Sequence, residues 1–374
     1  MFVCGPTVYD HAHIGHARTY LVFDALARYL RSQKIKLFYL QNITNIDDRI
    51  IDRAAEQNKK PFILAHVFEK AYYADMKKIG ATSVDQYARA TDFIPQITKQ
   101  VETLLRKKVA YEIAKDGIYF NIAKFPDYGK LSGRTVLGAE DAISRIDENS
   151  KKINKGDFCL WKFTKNKNEP SWKTSLGAGR PGWHIEDTAI TEKFFGPQYD
   201  IHGGALDLKF PHHEAEIAQQ ESASGKKPFV KIWLHTGFLL VHGKKMSKSL
   251  NNFITISDFL KKYEADVLRL LVLSYHYRSP VNFSWVLADQ NKKTLAVIKE
   301  FLDKLGLATR SIKKIENKTN KISKILEQNQ SAFEKSLADD FNTALALAQN
   351  MKLIGEFQNK IWTLGKKDTL MLKN

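Results

Sequence analysis

His11-Ala12-His13-Ile14-Gly15-His16 lies between a short apolar strand candidate, Phe2-Val3-Cys4, and a long helical pattern that begins near Ala17. A strand, a glycine-containing turn and a helix N-terminus together suit phosphate. The helix dipole and its unpaired amides face the anion, and the glycine lets a nucleotide approach the backbone. His13 and His16 fall one helical turn apart at that helix start, so their rings can share a face. Working outward, Val22, Leu26 and Leu30, with Ala25 and Tyr29 beside them, make the apolar stripe of a helix over 17–32. Residues 35–43 are β-rich and continuous, as a buried parallel strand is. Asp47-Asp48-Arg49 then opens another helix with acidic residues in its first turn. Strand, helix and strand at this spacing predict a doubly wound parallel sheet that binds a nucleotide.

Helical patterns continue over 62–78 and 94–107, and the character changes near Tyr111. Gly117-Ile118-Tyr119-Phe120-Asn121-Ile122 alternates like an edge strand, and turn residues gather at Pro126, Gly129 and Gly133. This reads as an insertion between two halves of the sheet, ending near Trp172. The sheet pattern is expected to return with Gly182-Trp183-His184-Ile185-Glu186 and Tyr199-Asp200-Ile201-His202-Gly203-Gly204. From Ile254 onward the chain is almost wholly helical, with heptad-like apolar spacing and a lysine-dense stretch at Lys313, Lys314, Lys318, Lys321 and Lys324. The expected fold class is therefore α/β: a Rossmann-like doubly wound parallel sheet with an inserted α+β connective region, followed by an all-α helical bundle.

At 374 residues the chain can bury a large core and suggests two or three domains. Lys and Arg number 58 against 41 acidic residues, a formal net charge of +17 that points to an anionic partner rather than to a fold. Two cysteines, Cys4 and Cys159, exclude a disulfide framework and fit a reducing cytosol. No run approaches the ~18 apolar residues of a membrane span, and Pro6 and Asp10 stand where a signal peptide needs its apolar segment. A cytoplasmic protein is expected.

The far-downstream stretch Lys245-Met246-Ser247-Lys248-Ser249, taken with the histidine stretch and in this order, resembles the two signature motifs of class I aminoacyl-tRNA synthetases. Further strings are similar to the cysteinyl-tRNA synthetase family: Cys4-Gly5-Pro6-Thr7-Val8-Tyr9-Asp10, Asn42-Ile43-Thr44, Gly179-Arg180-Pro181-Gly182-Trp183-His184-Ile185-Glu186, Asp200-Ile201-His202-Gly203-Gly204, His276-Tyr277-Arg278-Ser279 and Asp339-Asp340-Phe341-Asn342-Thr343. The resemblance divides the chain into residues 1–110 and 176–253 as the two halves of the catalytic domain, with 111–175 as the connective insertion. It makes 254–290 a helical stem-contact region and 291–374 a tRNA-binding bundle.

If Phe210-Pro211-His212-His213-Glu214-Ala215-Glu216 is helical, His212 and Glu216 project together and can bind one metal. In the family that Cys4-Gly5-Pro6 and its companions resemble, one zinc ion sits at the floor of the amino-acid pocket, held by two Cys, a His and a Glu. Carried over by motif, its ligands are Cys4, His212, Glu216 and Asp187, the last standing where the family has cysteine. Aspartate keeps the formal ligand charge of a thiolate but is a harder donor, which leaves zinc a stronger Lewis acid toward an incoming thiolate. Cys159 is no replacement: it belongs to the insertion and reads as a buried apolar position. A plain pocket separates cysteine from serine by only about 1–3 kcal/mol, whereas a metal bond to sulfur exploits a larger chemical difference.

By the same resemblance, His13 and His16 donate to the ATP α-phosphate, with Gly15 beside them. Lys245 and Lys248, on a loop after Gly243, clamp the leaving pyrophosphate with Mg²⁺. The Gly203-Gly204 turn and Asp207 hold the ribose, and Thr44 and Trp183 line the cysteine pocket. The implied activity is ATP-dependent ligation of L-cysteine to tRNA(Cys) through cysteinyl-adenylate, by a monomer. Family members usually begin with a short N-terminal extension and end with a small anticodon-reading domain. This sequence begins at Met1 on the first strand and stops at Asn374, so a fragment and a minimal form both stay open. Two other readings stay open as well: a cysteine ligase that delivers the adenylate to a small amine, as in the mycothiol pathway, and a catalytically silent tRNA-binding paralogue.

Overall fold

Phe2 and Val3 form the middle strand of a five-stranded parallel sheet, and both are fully buried. The structure is a computed structural model that describes residues 1–134, 149–166, 169–246, 250, 252–311 and 319–373. The chain divides into two compact units: Met1–Ala12, Lys34–Lys77 and Ala81–Thr236 form the first, and His13–Gln33, Lys78–Gly80 and Gly237–Asn374 the second.

Along the chain the first unit carries β1 (Phe2–Val3), β2 (Leu40–Ile43) and β3 (Gln86–Arg89), then the inserted strands β4 (Ala110–Ile113), β5 (Gly117–Phe120), β6 (Phe158–Phe163), β7 (Trp172–Thr174) and β8 (Gly177–Pro181), and finally β9 (Tyr199–Ala205) and β10 (Val230–Thr236). The parallel sheet has the order β10-β9-β1-β2-β3, with Phe2 opposite both Leu40 and His202. Only residues 40–43 of the expected 35–43 strand pair in the sheet; Ile35 and Phe38 are exposed. Asp47 caps the helix Asp48–Glu56 by accepting from the Arg49 amide at 2.9 Å.

The insertion is an antiparallel sheet of order β4-β5-β6-β8-β7 packed on the helix Ile94–Arg106. Phe120 stacks on Phe158 at 5.1 Å, over Ile97, Val101 and Leu104. Two expectations are corrected here. Residues 117–120 are an interior strand rather than an edge, because β6, distant in sequence, pairs along the side left open by the β4–β5 hairpin. Residues 182–186 do not return to the parallel sheet: β8 belongs to the inserted sheet, and Gly182-Trp183-His184 lead into the helix Ile185–Phe195.

In the second unit the helix Ile14–Ser32 starts three residues before the expected Ala17, because His13 caps it. Arg18, 1% exposed, donates to the carbonyls of Phe238 at 2.7 Å, of Tyr277 at 3.4 Å and of Ser279. It thereby ties that helix to the small sheet of β11 (Leu239–Val241), β12 (Lys244–Lys245) and β13 (Val281–Phe283). Beyond it, the helices Trp285–Ser311, Thr319–Ala338, Thr343–Phe357 and Lys366–Lys373 bury Phe301, Leu305, Ile322, Ile354, Phe357 and Leu372 together. Two of the sequence strings meet in this unit: Asp340 accepts from Arg278 at 2.5 Å and from the Tyr277 hydroxyl at 2.7 Å. Of the lysine-dense stretch, Lys313, Lys314 and Lys318 lie outside the described residues.

Candidate active site and metal centre

Cys4 follows β1 directly, and its thiol is the meeting point of the first unit. Asp187 comes from the first turn of the helix Ile185–Phe195, and His212 and Glu216 from the turn into the helix Glu214–Ser224. Cys4 Sγ lies 3.4 Å from Asp187 Oδ2 and 3.9 Å from Glu216 Oε1. His212 Nε2 lies 3.0 Å from Asp187 Oδ2 and 2.9 Å from Glu216 Oε1. All four are buried, and their donor atoms fall within 4.8 Å of one another. Donors around one tetrahedral zinc stand about 3.3–3.7 Å apart, given bonds of roughly 2.0–2.3 Å.

The electrostatics fit a cation. Burial, then the Glu216 and Asp187 carboxylates, push the Cys4 thiol well up. Burial lifts Glu216 to about 7 against the pull of His212. Burial alone would push His212 down, but the carboxylates of Glu216 and Asp187 outweigh it and lift it to about 10. Asp187 Oδ1 and Glu216 Oε2 are buried with no hydrogen-bond partner among the described residues. Three acidic groups, two of them with an orphaned oxygen, and one imidazole are a donor set short of positive charge, which a divalent cation would supply.

Around this group stand residues that sequence reasoning left unassigned. His202 Nε2 and His213 Nε2 lie 3.2 and 3.3 Å from Cys4 Sγ. Tyr199 holds the other nitrogen of His202 at 2.6 Å, and His235 that of His213 at 2.8 Å. His184 contacts His212 Nδ1 at 2.7 Å. His202 and His213 were visible as neighbours of motif residues, but only the pairing of β9 with β1 and the seating of the 209–213 turn against Gly204 turn them toward Cys4. Trp183 stacks on His212 with centroids 4.4 Å apart, and the Arg49 guanidinium covers Trp183 at 5.4 Å. Thr44 donates to Glu186 Oε2 at 2.8 Å, and burial pushes the Glu186 carboxyl well up.

Gly203 and Gly204 are in strand β9, not in a turn as expected. Gly203 pairs with Val3 and Leu234, and Gly204 with His235. A Cβ on Gly204 would stand 3.1 Å from the His213 ring and 3.0 Å from Leu208, so the glycine admits the histidine. Asp207 is exposed just beyond, in the short turn Leu206–Leu208. Cys159 is buried with Ile113 and Tyr119 in the inserted sheet, as its apolar setting predicts.

In the second unit His13 is the N-cap of the helix Ile14–Ser32. Its Nδ1 accepts from the amides of Gly15 at 3.0 Å and His16 at 3.3 Å, while His16 Nδ1 accepts from the His13 amide at 3.2 Å. Amides can only donate, so each ring carries its proton on Nε2. The rings stack at 3.8 Å. Burial, with the charges of His16 and Lys245 adding, pushes His13 down to about 2. Gly15 has a local reason beyond nucleotide approach: a Cβ there would meet the His13 ring at 2.8 Å and Met246 at 2.9 Å. Lys245 is exposed in β12 after a turn with positive φ at His242 and Gly243, its ammonium 5.2 Å from the Phe238 ring centre. Lys248 lies outside the described residues.

Residues 1–293 match the family model described as the tRNA synthetases class I (C) catalytic domain. A cysteine–tRNA ligase of Methanococcus maripaludis is 41% identical over 380 residues, covering 100% of this chain and 78% of its own. The chain belongs to the cysteine–tRNA ligase family. A cysteine–tRNA ligase of Thermoplasma volcanium is 50% identical over 305 residues, 82% of this chain and 66% of its own length. One of Aquifex aeolicus is 41% identical over 374 residues, covering 98% and 74%. This member of the cysteine–tRNA ligase family thus spans about two thirds to three quarters of the length of these relatives. Its fold is that of solved class I synthetases. A methionyl-tRNA synthetase of Mycobacterium tuberculosis superposes with a TM-score of 0.70 at 14% identity, covering 100% of this chain and 87% of that one. A LeuRS–tRNA complex of Agrobacterium radiobacter gives 0.69 at 13%, covering 99% and 82%. Among the described residues no helix is long and apolar enough to cross a membrane.

Proposed function

We propose that the chain activates L-cysteine with ATP and transfers it to tRNA(Cys), with Cys4, Asp187, His212 and Glu216 as the residues that hold zinc. The observation that carries this reading is the convergence of those four buried donors from separate segments of the first unit. Zinc held there would bind the substrate sulfur as thiolate, which serine cannot match. Trp183, stacked on His212, and Thr44, fixed to Glu186, are the proposed walls of the amino-acid pocket.

Adenylation is an in-line displacement at the α-phosphate by the cysteine carboxylate. The carboxylate is ionised at neutral pH, so no general base is required, and the task is positioning and charge stabilisation. His13 and His16 suit that task because both rings, with Nδ1 occupied by a backbone amide, present an Nε2 proton to an oxygen. Lys245, with Lys248 and Mg²⁺, neutralises the departing pyrophosphate. Gly203, Gly204 and Asp207 serve the adenosine ribose. The helices of residues 291–374 hold tRNA phosphates through their lysines.

The test is cysteine-dependent ATP–pyrophosphate exchange, followed by transfer to tRNA(Cys) or to an amino sugar. Exchange with transfer to tRNA is expected. Absence of exchange refutes the reading, and transfer to the sugar alone replaces tRNA by a small amine as the acceptor.

A further inference from the structure

Cys4 and Glu216 belong to two sets of four buried donors at once: one with Asp187 and His212, the other with His202 and His213. We infer that the second set, Cys4–His202–His213–Glu216, is a cation position in its own right, overlapping the first, and that zinc rests there in the cysteine-free protein. The inference rests on the reading that this chain binds zinc at Cys4.

Three observations carry it. The first is donor chemistry. With aspartate at 187, the first set offers one sulfur, one nitrogen and two oxygens, whereas the second offers one sulfur, two nitrogens and one oxygen. Zinc is borderline soft and favours thiolate and imidazole. The second is charge. The thiolate and carboxylate of the second set cancel a divalent ion, and Asp187, left outside that set, keeps the His212 imidazole at 3.0 Å as its partner. The third is the surroundings. Metal-binding histidines almost always have their second nitrogen held, and here both do: His202 by Tyr199 at 2.6 Å, His213 by His235 at 2.8 Å. Their Nε2 atoms already face Cys4 Sγ at 3.2 and 3.3 Å.

Glu216 joins the two positions. Its Oε1 is engaged by His212 at 2.9 Å, whereas Oε2, 3.4 Å from His202 Nδ1, is the oxygen without a hydrogen-bond partner. His212 in turn lies close enough to Asp187 and Glu216 for the three to satisfy one another with no ion between them.

The experiment loads the whole chain with Zn²⁺ or Co²⁺ without cysteine. It reads stoichiometry, dissociation constant and the zinc-edge X-ray absorption spectrum, with melting of each metal-free variant as a check on folding. One ion with one sulfur and two imidazoles is expected. His202→Asn and His213→Asn should weaken binding by more than the roughly 10–100-fold lost on changing an outer-shell group. Asp187→Asn and His212→Asn should weaken it less than the histidine pair does. In Asp187→Cys, two sulfurs and one imidazole should appear, because the second thiolate draws the ion to the first set. One imidazole in the wild type, two ions per chain, or dependence on Asp187 and His212 alone overturns the inference and leaves the cysteine–tRNA ligase reading standing. No ion in wild type or in Asp187→Cys, together with no pyrophosphate exchange, overturns both.

Discussion

His13 combines two roles that a pair of substitutions separates. Its Nδ1 caps the helix Ile14–Ser32 through the amides of Gly15 and His16, and its Nε2 carries the proton assigned to the α-phosphate. His13→Ala removes both. Loss of an N-cap costs about 1 kcal/mol, which lowers the melting temperature by about 1–2 °C in a chain of this size. Loss of one preorganised donor to a developing charge costs about 2.7–4 kcal/mol, or roughly 10²–10³ in kcat. His13→Asn restores the cap, since asparagine is among the strongest N-cap residues, but its short amide does not extend to where the imidazole Nε2 stands. The alanine variant should therefore lose both melting temperature and kcat in cysteine-dependent pyrophosphate exchange. The asparagine variant should melt like wild type and lose the same kcat. An asparagine variant with wild-type exchange would refute the donor role, and an alanine variant that melts like wild type would refute the cap.

The same residue gives a pH signature. His13 is held at about 2 when folded against 6.5 when unfolded, so its contribution to stability is full above pH 6.5. As pH falls below 6.5 the unfolded chain alone takes up the proton, and stability drops by about 1.4 kcal/mol per pH unit; urea midpoints across this range should fall less steeply in His13→Asn than in wild type. Arg18→Met strips a guanidinium from three carbonyls. Each such bond contributes about 1.5–3 kcal/mol, offset by about 3 kcal/mol of burial that holds the group at about 10, so urea unfolding should show a net loss of roughly 1.5–6 kcal/mol. Chelation of the zinc-loaded chain should lower its melting temperature and zinc should restore it; Cys4→Ser should abolish that response and Cys159→Ser should leave it intact.

Local signals were enough for much of this site. His13 and His16 sit on one helix turn, and His212 and Glu216 meet across another, because both pairs depend only on helical spacing. A parallel sheet followed from the alternation of strand and helix. What escaped was set by distant pairing. β5 reads as an edge until β6 occupies its open side. Gly203 and Gly204 end a stretch that reads as strand and also suit a turn, and only β1 and β10 on either side fix them as strand. His202 and His213 lie inside strings the sequence marks, but nothing there points them at Cys4, since strand and helix must pack before both reach it. The early start of the helix at Ile14 is a further case: histidine is not a customary cap, and its reciprocal bond with His16 becomes visible only in three dimensions.

Glu214 lies between His213 and Glu216 on the helix that supplies the metal donors. It is fully buried, and its carboxylate accepts from the Gly129 amide at 3.0 Å and the Ser132 amide at 2.6 Å. The inserted segment is thus not a detachable module: excising it would strand an anion within two residues of the proposed zinc ligands. A trimmed enzyme would have to neutralise position 214 in the same step, and drift in the length of that loop is constrained from the inside of the protein rather than from its surface.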